Sequence, residues 1–213
     1  MIDCIEKVIY INLEHRTDRK AQVESELLKV FPCENVVRFN AIKHIIGGIG
    51  CSMSHIGAVE LAIKNNWNNV LIVEDDLQWY KLGENMELLA NLASNPYDVI
   101  MLSGHNVKMT NIKHKLYSCC ARTAYLVNNH YYHTLLSNFK DGLALLTNNY
   151  TGKHRGDIYW NQIQKRDNWF IIRDMCIQRP SFSDIEQRMV NYSNFIHPKR
   201  IGFLRKGKFL NVT

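Results

Sequence analysis

Three consecutive acidic residues, Glu74, Asp75 and Asp76, directly follow an apolar run at residues 70–73. Four apolar residues in a row are typical of a strand that is buried on both faces of a parallel sheet. Adjacent carboxylates raise one another's pKa unless a cation neutralises them. Oxygen ligands suit Mg²⁺ or Mn²⁺, which bind through one or two carboxylates while substrate phosphates complete the coordination shell. The triplet therefore predicts a divalent metal site at a strand end.

The three acids are not equivalent. In an extended segment Glu74 and Asp76 point to one side and Asp75 to the other. We expect Asp76, together with Glu74 or Asp75, to bind the metal ion, while the remaining acid holds a neighbouring group. Glu74 and Asp76 are the predicted metal ligands, and Asp75 is expected to contact the metal or the neighbouring group.

The opening strand of a response-regulator receiver domain also ends in acids that bind Mg²⁺. In a receiver this strand is N-terminal, whereas about seventy residues precede it here. The next predicted strand, 98–102, ends in Ser103, where a receiver has its phosphorylated aspartate. A receiver-like signalling domain is therefore the weaker alternative.

Strands and helices alternate along the chain. β-Branched and aromatic runs predict strands at 8–13, 36–39, 70–73, 98–102 and 121–127. Apolar residues at helical spacing predict helices after the turn at 14–19, at 52–64, at 86–92 and at 131–139. This order predicts an α/β sandwich with a mostly parallel central sheet. Ligands of such sheets bind beyond the carboxyl ends of the strands, so one cleft could hold both the 14–19 turn and the acidic triplet.

Length and composition favour one globular domain over residues 1–213. The apolar runs are far shorter than the ~20 residues that span a bilayer, and residues 1–4 lack the pattern of a signal peptide. We therefore expect a soluble protein of the cytoplasm with six reduced cysteines. The pattern leaves the oligomeric state open.

The net charge of +6 and the pI near 9 fit an anionic partner. Nucleic acid, an acidic membrane surface and a phosphate-bearing small molecule all satisfy this, but no nucleic-acid motif is present, and we expect no nucleic-acid partner. A basic C-terminal tail from about residue 197 could close over a diphosphate or contact an anionic acceptor or membrane, or be a solvated end of the chain. Its charges are Lys199, Arg200, Arg205, Lys206 and Lys208, around Phe203 and Phe209.

Taken in order, three motifs resemble glycosyltransferase family 25, the family of lipooligosaccharide galactosyl- and glucosyltransferases and of collagen glycosyltransferases. They are the segment 10–19 with Asn12, Arg16 and Arg19, the segment 50–55 with Ser54 and His55, and the segment 70–76. Similarity continues at 123–127, at Asp157 ahead of Trp160, and from Gln178 to Ile185, so it spans about residues 8 to 186.

The resemblance implies a GT-A-type fold, in which an acidic triplet holds Mn²⁺ or Mg²⁺ against the diphosphate of a UDP-sugar. Within the triplet it implies that Asp75 contacts the metal or the ribose and sugar of this donor. It also implies that Asn12, Leu13, Arg16 and Arg19 line the nucleotide pocket, with one of the arginines facing uracil or phosphate. Taken alone, an Arg-x-x-Arg sequence at a helix start is usually a solvated helix end.

Ser54 and His55 follow the glycines at 47–50 and are predicted at the start of a helix. Free backbone N–H groups there favour an anion, which suits phosphate or ribose. The alternative for His55 is a buried histidine of the core. A Ser-His catalytic pair is disfavoured because adjacent helical residues point about 100° apart.

For the chemistry, the resemblance implies an inverting transfer of galactose or glucose to a hydroxyl of a glycan or glycoconjugate acceptor. Asp157 is the candidate base or third metal ligand, although an acid at a helix start is ordinarily a cap. Asp184 is the second candidate base, and Gln178 binds the donor sugar or supports its loop. An inactive nucleotide-sugar or metal-binding module on the same fold stays open. A collagen acceptor is not supported, and within the family an enzyme of bacterial or viral type, in the cytoplasm of a bacterium or of a virus-infected host, fits better.

Overall fold

A computed structural model describes residues 2–191, 201–205 and 208–212 of the 213-residue chain. The helices are α1 (Thr17–Leu27), α2 (Gly47–Lys64), α3 (Leu82–Ala93), α4 (Tyr132–Asn148), α5 (Gly156–Tyr159) and α6 (Asn161–Arg166). The strands are β1 (Lys7–Asn12), β2 (Val36–Asn40), β3 (Asn69–Glu74), β4 (Leu77–Trp79), β5 (Val99–Met101), β6 (His105–Met109), β7 (Leu116–Cys120), β8 (Ala124–Asn128), β9 (Trp169–Ile171), β10 (Cys176–Gln178), β11 (Ser181–Ser183), β12 (Arg188–Val190), β13 (Ile201–Arg205) and β14 (Lys208–Val212).

A six-stranded sheet with the order β2-β1-β3-β8-β5-β9 forms the centre of the fold. The pairs β1–β2, β1–β3 and β5–β9 are parallel, and β8 runs antiparallel to β3 and β5. The predicted α/β sandwich with a mostly parallel sheet is confirmed. Since β1 and β3 are parallel neighbours, the turn after β1 and the acids after β3 lie at the same edge of the sheet.

Apolar side chains cover both faces of this sheet, because successive residues of a strand point to opposite faces. On one face Ile9 and Ile72 pack with residues of α2 and α4. On the other face Val8 and Leu71 pack with residues of α1 and α3. The sheet is therefore enclosed on both sides, which fixes its carboxyl edge against the surrounding helices.

Short sheets place later segments of the chain beside this edge. β10 pairs with β4, which sets Gln178 opposite Leu77, directly after the acidic triplet. β11 and β12 form a hairpin, and β6, β7, β13 and β14 form a separate four-stranded sheet. Among the described residues, no helix has both the length and the apolar character that crossing a membrane requires.

The helix predicted to begin at Ser52 begins instead at Gly47, so the prediction of a glycine loop at 47–50 was wrong. Glycine is required here for close packing rather than for a loop. A Cβ on Gly50 would lie 2.5 Å from the Ile42 carbonyl oxygen. Ser54 and His55 consequently lie inside the helix, beyond its free N–H groups.

One further local prediction differs from the structure. The strand predicted from residue 121 begins at Ala124, because Ala121 has a positive φ of 84° and interrupts the extended chain. Of the basic tail, Lys199, Arg200 and Lys206 lie outside the described residues.

Candidate active site

A cleft of about 380 Å³ opens at the carboxyl edge of the central sheet. Its walls come from the ends of β1 and β3, from α2, from the loop between β7 and β8, from the start of α5 and from the β11–β12 hairpin. Of the residues predicted from the sequence, the cleft is lined by Leu13, Arg19, Glu74, Asp75, Asp76, Asp157, Gln178 and Asp184. Asn12, Arg16, Ser54 and His55 lie behind this lining.

Asp75 is the most strongly held of the three acids. It accepts hydrogen bonds from Asn12 Nδ2 at 2.8 Å and from Arg19 Nη1 at 2.7 Å. Burial raises its pKa, although Arg19 and Asn12 act in the opposite direction. Asp75 therefore ties the turn after β3 to β1 and to α1, which is the supporting role predicted for one member of the triplet.

The carboxylate of Asp76 has fewer and more distant partners than that of Asp75. Gln178 Nε2 donates to its Oδ2 at 3.0 Å, and Arg19 Nη1 lies 3.7 Å from the same oxygen. Its Oδ1 is buried without a hydrogen-bond partner among the described residues. Burial, and next the charge of Glu74, raise the pKa of Asp76 to about 7. A cation beside Oδ1 would satisfy this oxygen and favour the ionised carboxylate.

Glu74 faces α2. Its Oε1 lies 3.3 Å from His55 Nε2 and accepts a hydrogen bond from Cys51 Sγ at 3.8 Å. The extended backbone of β3 ends at Glu74, and the following two residues form a turn. The alternation expected for a strand therefore does not decide which way Asp75 and Asp76 point, and each acid has its own set of partners.

His55 and Ser54 hold α2 in place. His55 is buried, and its Nδ1 lies 2.7 Å from the hydroxyl of Tyr125. Burial lowers the pKa of His55 to about 4, so the ring is neutral near pH 7. Ser54 Oγ donates to the Gly50 carbonyl and accepts from Ile42 N–H at 2.8 Å. The helix-terminus argument for phosphate binding by these two residues is therefore wrong, since neither lies in the first turn.

Two arginines at the start of α1, Arg16 and Arg19, connect the β11–β12 hairpin to the edge of the central sheet. Arg19 Nη2 donates to Ser181 Oγ and to the Phe182 carbonyl. Arg16 donates to Asp184 Oδ2 at 2.5 Å and pairs with Asp18. These contacts between distant segments of the chain explain why the side chains of Arg16 and Arg19 are both largely shielded from solvent. An Arg-x-x-Arg sequence at a helix start is otherwise usually solvated.

Asp157 lies in the first turn of α5 and lines the cleft. Its Oδ2 accepts one long hydrogen bond, from Ala121 N–H at 3.4 Å. A Cβ on the preceding Gly156 would lie 2.2 Å from Nη1 of Arg122, so a larger residue there would displace this guanidinium group. The carboxylate of Asp157 thus stands in the cleft with one long hydrogen bond, and the charge of the buried Arg122 interacts favourably with it.

Arg122 and Cys51 are among the cleft residues that sequence reasoning missed. Arg122 is 5% exposed, and its Nη2 donates to Cys51 Sγ at 3.4 Å. Cys51 lies one helical turn before His55, a spacing that places both on one side of a helix. That spacing is visible in the sequence, whereas nothing there indicates that Arg122 is buried.

The sequence profile described as glycosyltransferase family 25 (LPS biosynthesis protein) matches residues 46–156, just over half of the chain. No curated protein sequence matches the chain significantly. Among solved structures, the chain is similar to a glycosyltransferase involved in glycosylation of the major capsid of PBCV-1, with a TM-score of 0.52 and 9% identity over 78% of this chain and 80% of that one. At that identity the likeness shows the fold alone.

Lower similarity extends to two other solved structures. A mannose-1-phosphate geranyltransferase from Thermus thermophilus has a TM-score of 0.47 and 9% identity over 81% of this chain and 75% of that one. A197 from STIV has a TM-score of 0.46 and 8% identity over 87% of this chain and 93% of that one.

The raised pKa of Asp76 predicts a pH-dependent loss of stability in metal-free protein. The unfolded side chain ionises near pH 4, whereas the folded one ionises near pH 7. The folded state therefore binds more protons in this window, and the free energy of unfolding falls as pH rises through it, by up to about 4 kcal/mol. Urea unfolding of wild type and Asp76→Asn in EDTA, from about pH 4 to about pH 8, measures this difference.

Asp18→Asn is the control, because pairing with Arg16 lowers the pKa of Asp18 to about 2, outside the window. The Asp76→Asn variant should lack the destabilisation at neutral pH, while Asp18→Asn should retain it. Identical pH profiles for wild type and Asp76→Asn would contradict the assigned environment of Asp76.

Proposed function

Because the chain belongs to glycosyltransferase family 25, we propose that it transfers galactose or glucose from a UDP-sugar to a hydroxyl of a glycan or glycoconjugate. Glycosyl transfer itself follows from the family, and the donor, the metal and the stereochemistry are proposals. The observation that carries the metal site is the buried Oδ1 of Asp76, an acceptor without a partner among the described residues at the wall of the cleft.

The residues fit a hard divalent cation. Asp76 and Glu74 offer carboxylate oxygens in a cleft, and Mn²⁺ or Mg²⁺ prefers such ligands together with phosphate oxygens. We propose these two acids as the protein ligands. When bound, the ion would neutralise the charge that develops on the departing nucleoside diphosphate.

The nucleotide end of the cleft is proposed at the turn after β1. Leu13 and Arg19 line the cleft there, and Leu13 offers an apolar surface to a base. Asn12 and Arg16 support this wall from behind, through Asp75 and Asp184 respectively. Gln178 is already bonded to Asp76, which favours a role in placing that carboxylate over direct contact with the sugar.

Asp157 is favoured over Asp184 as the catalytic base. Both oxygens of Asp184 face cations or potential cations, Arg16 at 2.5 Å and His15 at 3.6 Å. Asp157, in contrast, accepts a long bond from Ala121 N–H and stands in the cleft. In the proposed inverting step Asp157 removes the proton of the acceptor hydroxyl as that oxygen attacks the anomeric carbon.

A glycan of lipopolysaccharide type is the proposed acceptor class, in keeping with the description of the family. The basic residues after about 197 remain a proposed contact for an anionic acceptor or membrane. Arg205 and Lys208 belong to β13 and β14, and β13 pairs with β6, the strand that begins at the cleft residue His105.

The proposed donor chemistry is tested by incubating the protein with UDP-galactose, UDP-glucose and GDP-mannose in Mn²⁺, with and without EDTA. We expect slow release of UDP from one of the UDP-sugars, lost on chelation and in Asp76→Asn, and no turnover of GDP-mannose. Glu60→Gln is the matched control and should keep activity, because Glu60 is an exposed residue of α2 that pairs with Lys140. Absence of both UDP release and UDP binding with every donor would contradict the proposed donor class.

Replacing each of the two candidate bases, Asp157 and Asp184, by asparagine distinguishes their roles. Asp157→Asn keeps the size of the side chain but cannot accept the proton, so kcat for UDP release should fall by about 10²- to 10⁴-fold while UDP affinity is retained. Asp184→Asn should mainly weaken UDP binding, because it loosens Arg16. Steady-state kinetics and calorimetry measure both, and the reverse pattern would assign the base to Asp184.

A further inference from the structure

Three metal-ligating side chains meet at the floor of the cleft. Cys51 and His55 lie one turn apart on α2, and Glu74 ends the neighbouring strand β3. One ligand atom of each residue, Sγ, a ring nitrogen and a carboxylate oxygen, lies within 4.8 Å of the other two. The proposed transfer reaction uses Glu74 but gives no role to this thiol or this imidazole.

The spacing is close to that of a tetrahedral zinc site. Zinc bonds of ~2.3 Å to sulfur and ~2.0 to 2.1 Å to nitrogen and oxygen place neighbouring ligand atoms roughly 3.3 to 3.6 Å apart. His55 Nε2 lies 3.3 Å from Glu74 Oε1, and Cys51 Sγ lies 3.8 Å from the same oxygen. The third pair of ligand atoms, Cys51 Sγ and the His55 ring nitrogen, lies within 4.8 Å.

Ligand softness distinguishes this cluster from the oxygen ligands at Asp76. Thiolate and imidazole favour zinc, whereas carboxylates and phosphates favour magnesium and manganese. We propose that Cys51, His55 and Glu74 form a zinc site at the floor of the cleft, with its fourth position open to the cleft. The site stands whether or not the donor is a UDP-sugar, because it depends on these three side chains alone.

The residues around the cluster match those of known zinc sites in kind. Metal-bound histidines usually have their second ring nitrogen hydrogen-bonded, which fixes the ring. His55 Nδ1 lies 2.7 Å from the Tyr125 hydroxyl, which can donate or accept and so suits either tautomer. Nε2 is then available to the metal.

The thiol must lose its proton when zinc binds. Burial raises the pKa of Cys51 to about 12, so the thiol is neutral before the metal binds. Zinc forms a bond to sulfur as the S–H proton leaves to solvent, and a coordinating thiol is deprotonated outright. Arg122 Nη2, which donates to Sγ at 3.4 Å, would support the resulting thiolate.

The fourth coordination position of the proposed zinc site would face the cleft, because two of its three ligands line the cleft. Cys51 and Glu74 line it, whereas His55 is 1% exposed and closes the rear of the cluster. Three protein ligands with a fourth position open to solvent are the arrangement of reactive or regulatory zinc sites rather than of closed structural ones. Zinc held there engages the same carboxylate that the proposed Mn²⁺ site uses.

Cobalt titration of the metal-free protein tests the site without donor, acceptor or turnover. Co²⁺ bound to a thiolate gives a charge-transfer absorption, and wild type should show it in proportion to bound metal until Zn²⁺ displaces the cobalt. Cys51→Ser should lose this absorption. Cys120→Ser and Cys33→Ser are the controls, since Cys120 also lines the cleft and Cys33 is exposed, and both should keep it.

Tyr125→Phe removes only the hydroxyl beside His55 and should weaken zinc binding by about 10- to 100-fold while retaining the cobalt absorption. Circular dichroism confirms that each variant is folded. Absence of the thiolate absorption in wild type, or its survival in folded Cys51→Ser, would overturn the zinc site. Either result leaves the proposed sugar transfer untouched, because UDP release is measured separately.

Discussion

The buried ion pair between Arg19 and Asp75 is the interaction on which the rest of the cleft depends. The two side chains are 10% and 9% exposed, and their charged atoms are 2.7 Å apart. Buried pairs are costly unless their remaining groups are bonded. Asn12 donates a second hydrogen bond to Asp75. The other terminal nitrogen of Arg19, Nη2, donates to Ser181 Oγ and to the Phe182 carbonyl. One pair thus joins β1, α1, the end of β3 and the β11–β12 hairpin.

That pair also divides the acidic triplet into three environments. Asp75 takes the nearby fixed cation, and Glu74 turns toward His55 and Cys51. Asp76 accepts a hydrogen bond from the side-chain amide of Gln178 and lies 3.7 Å from Arg19. Its Oδ1 has no hydrogen-bond partner among the described residues. Three adjacent acids therefore do not act as one cluster. The structure gives Asp75 a fixed cationic partner, whereas Glu74 and Asp76 face the cleft without one as close.

Much of the fold could be predicted because it follows from local patterns. Continuous apolar runs indicated the buried strands, helical spacing indicated the helices, and both periodicities are present in the structure. The triplet was recognisable because its charge is unusual after a buried strand. The start of α2 was predicted wrongly, because the glycines at 47, 48 and 50 were interpreted as a loop, whereas Gly50 packs closely against Ile42, a contact that no local rule shows.

The rest of the site depends on contacts between distant parts of the chain. Arg122 reaches Cys51 across 71 positions, and Arg16 reaches Asp184 across 168. Periodicity carries no information on such pairs. Resemblance to a family located Asp157 and Asp184 as candidates, but only their different partners in the cleft separate their proposed roles.

Crystals grown with Mn²⁺ and UDP test most directly whether Asp76 binds a divalent cation. Anomalous scattering locates manganese independently of the protein phases. We expect an anomalous peak within coordination distance of the Asp76 carboxylate and of a UDP phosphate oxygen, with the Arg19–Asp75 pair intact. Bound UDP without such a peak, or a peak at Asp75 after Arg19 has moved away, would contradict this role of Asp76.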